Sequence, residues 1–451
     1  MKRVVVIGAG PQGLAAAAHL LERGLTPLVL EAGPSPASAV AEWAHVRLFS
    51  PWPELTDAAS RRLLEQSGWL EPTGAIPTGR QWIDNYLAPL ADALGEHVHY
   101  GTRVVGVGRK SRDLTVDSGR AKQPFTIHLD RDGGGEERIE ADAVIDASGT
   151  WGSPNPAGAD GLPALGETAA AAAGVLVSAI PTIDDAAQLS GRHSVVIGSG
   201  HSAATAIGLF ARAVERDPHT RVTWVLRRES VATAFGGGAA DELPERGALG
   251  QRAKKAVDDG LVDLVTGFRT AEVELAGERA VMVAEDGRRI AEADKVFALT
   301  GFRPDLSFLS EVRLNLDPRL QAPPKVALEV DPNMHSCGSV RATGAADLAH
   351  PEPGFYIVGA KSYGRAPTFL ALTGYEQVRS VVAELAGDRE AAERVDLVLP
   401  DTGVCGGSGQ FDAPTESLAA PTEVLDAPTE IESSCCTPGP RTIRLDSGRP
   451  R

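Results

Sequence analysis

Val4-Val5-Val6-Ile7-Gly8-Ala9-Gly10-Pro11-Gln12-Gly13 decides the fold of this chain. Four consecutive β-branched residues read as a buried strand. The Ala- and Leu-rich run that follows reads as a helix over 11–23, and Pro27-Leu28-Val29-Leu30-Glu31 reads as a second strand. Together they form a βαβ unit. Gly8 allows the tight turn out of the strand, Gly10 lets backbone approach a pyrophosphate, and Gly13 lets helix and strand pack closely. Pro11 and Gln12 open the helix, whose N-terminus offers N–H groups and partial positive charge to phosphates. Glu31 lies 18 residues past Gly13 at the end of the second strand. A carboxylate there accepts hydrogen bonds from an adenosine ribose and repels a 2′-phosphate. Strand, turn, helix, strand and acid in this order predict a dinucleotide site. Its place at the start of the chain favours FAD over NAD.

The pattern recurs 190 residues later as Ser194-Val195-Val196-Ile197-Gly198-Ser199-Gly200-His201-Ser202-Ala203, with Ala203 in the third slot. A strand over 194–198, a helix over 201–215 and a strand over 221–226 make a second βαβ unit. Arg227 and Arg228 follow it, where the first unit has an acid. A guanidinium there holds a 2′-phosphate through a planar fork and a fixed charge, which predicts NADPH. His201 is expected to line the nicotinamide site or cap the helix, beside Ser202. Two such sites in one chain suggest hydride passing from a nicotinamide to a flavin.

At 451 residues the chain suits two or three domains, and 43% hydrophobic residues supply a core. A formal net charge of −16 argues against nucleic acid as a partner, because phosphate binding needs a basic face. No apolar run approaches the length of a membrane span. The short run after Lys2-Arg3 enters the glycine turn directly, which argues against a signal peptide. Four cysteines, three of them in the last 47 residues, make no disulfide framework, and a cytoplasmic location is the expectation.

The fold class predicted is α/β, with two Rossmann-like dinucleotide-binding domains. Residues 1–185 form the first part of an FAD domain, 186–295 an inserted NADPH domain, and 296–390 the second part of the FAD domain. Residues 103–107 and 124–129 read as strands of a β-meander. Ala143–Gly149, 294–301 and 354–359 read as short buried strands, and a helix over 367–386 follows the last. Residues 391–451 form a Cys-containing tail in which Ala-Pro-Thr-Glu recurs at 413, 420 and 427, a composition that favours disorder.

This order of segments resembles the two-dinucleotide-binding-domain flavoproteins, which include flavin-containing and N-hydroxylating monooxygenases and thioredoxin-reductase-like enzymes. The resemblance covers about residues 1–388. It rests on Gly8 to Gly13 with Glu31, on Ala147-Ser148-Gly149, on Gly198 to Ala203 with Arg227, and on Thr300-Gly301-Phe302-Arg303-Pro304-Asp305. It implies FAD and NADPH as cofactors, a small-molecule substrate, and molecular oxygen as a second substrate if the chain is a monooxygenase. The stretches 45–52 and 361–368 resemble flavoprotein monooxygenases found with bacterial arsenic-resistance genes, so an arsenical is one candidate substrate. A homodimer is the candidate assembly. By the same resemblance Phe49 and Trp52 pack near the isoalloxazine, Val104 holds adenine through its backbone, Gly149 and Gly359 end FAD-domain strands, and the helix starting near Thr368 points at the flavin. Lys361 and Arg365, just past a flavin-side strand, would stabilise a reduced flavin or bind an acidic substrate.

The chain departs from the family pattern in two ways. It has no cysteine before Cys337, so a dithiol relay in its usual place is missing, and no Phe-x-Gly-x-x-x-His signature precedes Gly198. The competing reading is an NADPH-dependent reductase of thiol, disulfide or metalloid substrates using Cys405, Cys435 and Cys436, since vicinal thiols suit soft ions. His335, Cys337 and His350 match no standard ligand spacing, and no metal site is predicted.

Overall fold

The computed structural model describes residues 2–231, 234–235, 243–331, 341–366 and 369–397, all within one unit, Met1–Asp412. The strand Arg3–Ile7 is the centre of a five-stranded parallel sheet. Thr26–Leu30 and then Val98–His99 lie on one side, Ala143–Asp146 and then Phe355–Ile357 on the other. Val4, Val5 and Val6 have no exposed surface. Burial on both sheet faces is why the run is continuously apolar rather than alternating. The register pairs Ile7 with Leu30 and Asp146, and Asp146 with Ile357. The turns after these strands therefore open along one sheet edge, where parallel α/β folds bind ligands. The last strand comes from more than 200 residues beyond Asp146, so this sheet is assembled from two distant pieces of sequence.

A second five-stranded parallel sheet has the order Asp263–Val265, Arg221–Val225, His193–Ile197, Lys295–Ala298, Leu176–Val177. It thus draws strands from either side of residues 186–295. Each parallel sheet is accompanied by a three-stranded antiparallel one: Thr102–Arg109, Phe125–Arg131 and Gly135–Ala141, and Thr270–Ala276, Arg279–Ala284 and Arg289–Ala293. The second of these is a feature the sequence reading lacks.

Helix Pro11–Glu22 packs against the closing helix Ala371–Ala386 and against Ala58–Glu65. Leu14, Leu20, Val378 and Val381 are fully buried in the core they share. The first antiparallel sheet is pinned to the last parallel strand by a buried triad. Arg109 Nε donates to Glu352 Oε1 at 2.8 Å and Arg120 Nη2 to Oε2 at 2.7 Å. Both guanidiniums also donate to backbone carbonyls, and such added bonds are what make a buried ion pair tolerable.

Candidate functional site

A cavity of about 730 Å³ opens at the carboxyl edge of the first sheet. Gly8, Gly10, Pro11, Gln12 and Glu31 line it. Gly8 has φ +97°, a conformation that favours glycine. Gly13 does not reach the cavity; a Cβ there would lie 1.9 Å from the Gly8 carbonyl oxygen. A Cβ on Gly10 would meet nothing within 4 Å, so this backbone stands open to the cavity. No side chain caps the helix at Gly10, which leaves its N-terminal end to a ligand. Gln12 donates from Nε2 to the Ala371 carbonyl at 3.2 Å, while its buried Oε1 has no partner among the described residues. An orphaned buried acceptor beside an uncapped helix and an open glycine fits a ligand that brings phosphates and donors of its own.

Glu31 does more than the sequence suggests. Its Oε2 accepts from the Ala9 N–H at 2.7 Å and its Oε1 from the Gly33 N–H at 2.8 Å. The acid therefore fixes the glycine turn. Each oxygen keeps lone-pair capacity for a ribose hydroxyl.

Farther along the cavity stand Val104, Phe49, Gly149 and Gly359, with Trp43 and Phe308. Gly149 and Gly359 have φ of +68° and +73°. Phe369, Leu370 and Ala371 bring in the start of the closing helix, which begins at Ala371 with no side-chain cap. Thr368 lies outside the described residues. Trp52 corrects the expectation made for it: only 5% exposed, it sits in the core instead of lining the cavity. Pro51 caps a short helix, Trp52–Leu55, that turns the indole inward, and Trp43, Trp82 and Trp151 supply the cavity's indoles instead.

A second cavity, of about 650 Å³, is lined by Gly198, Gly200, His201, Ser202, Arg227 and Arg228. Gly198 has φ +128°, and a Cβ there would lie 2.2 Å from the Leu299 carbonyl oxygen. Ala203 is fully buried and does not line the cavity. Here helix and strand leave room for a methyl that Gly13 lacks. Burial, with the charge of Arg228 next to it, lowers the pKa of Arg227 below its usual value. Arg246, Arg303 and Arg365 add three more guanidiniums, and among the described residues that line the cavity none is acidic.

The two cavities meet. Thr150, Ala360 and Phe369 line both. Phe49 of the first presents its ring to His201 of the second, with centroids 5.0 Å apart in an edge contact. Trp151 of the first packs on Phe302 of the second at 4.7 Å. Trp151 is held by its indole N–H, which donates to Glu42 Oε2 at 2.7 Å. Trp151 did not stand out from the sequence, because an isolated aromatic in a loop carries no period, and Phe302 stood out only as part of the motif 300–305.

Lys361 lines neither cavity. Its Nζ is 2.7 Å from Asp146 Oδ2 and 3.1 Å from Ser148 Oγ, with both charged side chains fully buried. Asp146 also accepts from the N–H and O–H of Ser148. The lysine is neutralised internally, so it ties the turn after Ile357 to the turn after Asp146 and is not a cation facing ligand. Arg365 does line the second cavity. His350 accepts from the Asn315 N–H at Nδ1, and burial pushes its pKa down to about 4. Among the described residues no group of three His, Cys, Asp or Glu could hold a metal. His335, Cys337, Cys405, Cys435 and Cys436 lie outside the described residues.

Residues 5–324 match the pyridine nucleotide-disulphide oxidoreductase family, and the chain belongs to it. It is an FAD- and NAD(P)H-dependent oxidoreductase. No curated protein matches it. Among solved structures it is similar to the bacillithiol disulfide reductase of Bacillus cereus, with TM-score 0.63 and 20% identity over 86% of this chain and 99% of that one. It is also similar to the cadaverine monooxygenase of the desferrioxamine pathway from Erwinia amylovora, with TM-score 0.59 and 15% identity over 92% and 99%. A flavin monooxygenase from Stenotrophomonas maltophilia gives TM-score 0.56 and 22% identity over 86% and 99%. At these identities the likeness is one of fold, and it spans reductases and oxygenases alike.

Proposed function

We propose that this chain is an NADPH-dependent flavoprotein monooxygenase acting on a small molecule. FAD, when bound, accepts a hydride from the nicotinamide and delivers electrons to oxygen. The residues supply position and shelter. Gly8, Gly10 and the start of helix Pro11–Glu22, with Pro11 and Gln12, hold the FAD pyrophosphate. Glu31 holds the adenosine ribose and Val104 the adenine. Phe49, Gly149, Gly359 and the start of the closing helix surround the ring system. Gly198, Gly200, His201 and Ser202 serve the second dinucleotide, Ala203 packs in the core behind them, and Arg227 and Arg228 take its 2′-phosphate. The FAD domain takes residues 1–185 and 296–390 and the NADPH domain 186–295, except that the strands Leu176–Val177 and Lys295–Ala298 go with the NADPH domain's sheet.

The observation that carries this reading is the sharing of Thr150, Ala360 and Phe369 by the two cavities. It gives the two rings a common wall, as direct hydride transfer needs. Oxygenation is favoured over a dithiol relay because the flavin-side wall is aromatic and no cysteine precedes Cys337. The test is turnover with NADPH under isotopically heavy dioxygen, beginning with trivalent arsenicals, amines and sulfides. Heavy oxygen in the product supports the reading. Reduction of a disulfide or metalloid, lost when Cys405, Cys435 and Cys436 become Ser, replaces it with the reductase.

A further inference from the structure

The charge in the second cavity exceeds what a dinucleotide site explains at one end. Arg227 and Arg228 leave the strand Arg221–Val225, on the side where the second βαβ unit receives an adenosine phosphate. Arg303 and Arg365 come from other elements: the turn after Lys295–Ala298 and the turn after Gly359–Tyr363. Phe302, beside Arg303 in the chain, and Phe369, four residues past Arg365, line the same cavity, and Phe369 also lines the first.

Both guanidiniums are held by neutral groups. Arg303 donates from Nε to Asn155 Oδ1 at 3.0 Å and from Nη2 to the Gly161 carbonyl at 3.0 Å. Arg365 donates from Nε to Gln321 Oε1 at 2.8 Å. Asn155 is itself fixed by the Thr300 carbonyl, so Arg303 is aimed by a built loop. Neutral acceptors set direction without cancelling charge. Burial, and after it the charge of Arg365, lowers the pKa of Arg303 below its usual value. Two like charges in one cavity, each held by neutral acceptors, are stabilised by an anion, and an Arg fork matches a planar oxyanion.

We propose that Arg303 and Arg365 form a subsite for the carboxylate, or a like oxyanion, of a small substrate whose apolar body lies on Phe302 and Phe369. This deepens the function proposed above and rests on it. The same chemistry could come from the phosphates of NADPH, and the experiment separates the two sources.

The holoenzyme is titrated with benzoate by calorimetry and by the visible flavin spectrum, with uncharged benzamide as control. NADP⁺ is titrated in parallel. Wild type should bind benzoate saturably and benzamide at least about tenfold more weakly, a difference of about 1.4 kcal/mol. Arg303→Gln and Arg365→Gln should each weaken benzoate about tenfold or more and change NADP⁺ affinity less than about twofold. Arg227→Gln should do the reverse. Arg365→Lys, which keeps the charge, should recover part of the loss and guards against misfolding as the cause. The proposal is overturned if wild type does not bind benzoate, if benzamide binds equally well, or if the Gln variants weaken NADP⁺ as much as Arg227→Gln does. Failure of the underlying reading would look different: NADPH would leave the flavin oxidised in wild type whatever benzoate does.

Discussion

Gly10 and Gly13 stand three residues apart, and the same substitution should do opposite things to them. Gly10 has φ −75° and ψ −176°, extended backbone open to any residue, and an added Cβ meets nothing within 4 Å. Gly10→Ala should leave the apoprotein intact, or stabilise it by about 0.4–1 kcal/mol by restricting the unfolded chain. The methyl stands where the pyrophosphate must approach, so FAD should bind at least about tenfold more weakly, about 1.4 kcal/mol. At Gly13 the methyl would sit 1.9 Å from the Gly8 oxygen, where real Cβ contacts essentially never fall below 3.0 Å. Helix and strand must separate by about 1 Å. Overpacking of this kind costs about 1–3 kcal/mol, against the roughly 1 kcal/mol that Ala gains over Gly inside a helix. Gly13→Ala should therefore lose apoprotein stability and FAD binding together. Urea unfolding of the apoproteins and FAD titrations separate the cases. A Gly10→Ala variant that binds FAD like wild type would refute the placement of the pyrophosphate.

Arg227→Gln and Arg228→Gln together should raise KM for NADPH at least about tenfold and leave KM for NADH nearly unchanged, because only the 2′-phosphate is lost; steady-state kinetics with both dinucleotides check this. Lys361→Met leaves Asp146 buried and unpaired, which should cost about 3–5 kcal/mol of stability. The double variant Lys361→Met, Asp146→Asn should recover part of that loss in urea melts. His350 is held neutral by burial, with its pKa at about 4 against 6.5 when free. As pH falls below 6.5 the unfolded chain takes up this proton first. The stability His350 contributes is thus complete above pH 6.5 and is lost as pH falls towards 4, by at most about 1.4 kcal/mol per unit. His350→Asn should show a correspondingly shallower acid slope than wild type over that interval.

The glycine turns were legible because their spacing is dictated by backbone geometry, which a sequence states directly. Gly8, Gly10 and Glu31 line one cavity and Gly198, Gly200, Arg227 and Arg228 the other, as the spacing implies. Side-chain direction outside the regular elements was not legible. Trp43 and Trp52 lie nine residues apart in an irregular stretch, and nothing in their neighbours says which indole faces the cavity. Lys361 looked like a ligand-facing cation because its partner, Asp146, is 215 residues away. The strands between Thr270 and Ala293 alternate in burial more than in sequence, since the outward-facing Val281 and Val283 are apolar and Leu275 is exposed. Arg303 belonged to a quoted motif, but its place beside Arg365 depends on two turns that only tertiary structure brings together.

The central claim is that one chain carries electrons from NADPH to FAD across the shared wall of two cavities. Anaerobic titration of the purified holoprotein with NADPH, following the visible flavin band, tests it most directly. The account predicts complete bleaching at one equivalent of NADPH, with NADH far slower at the same concentration. A flavin that stays oxidised under excess NADPH would contradict it.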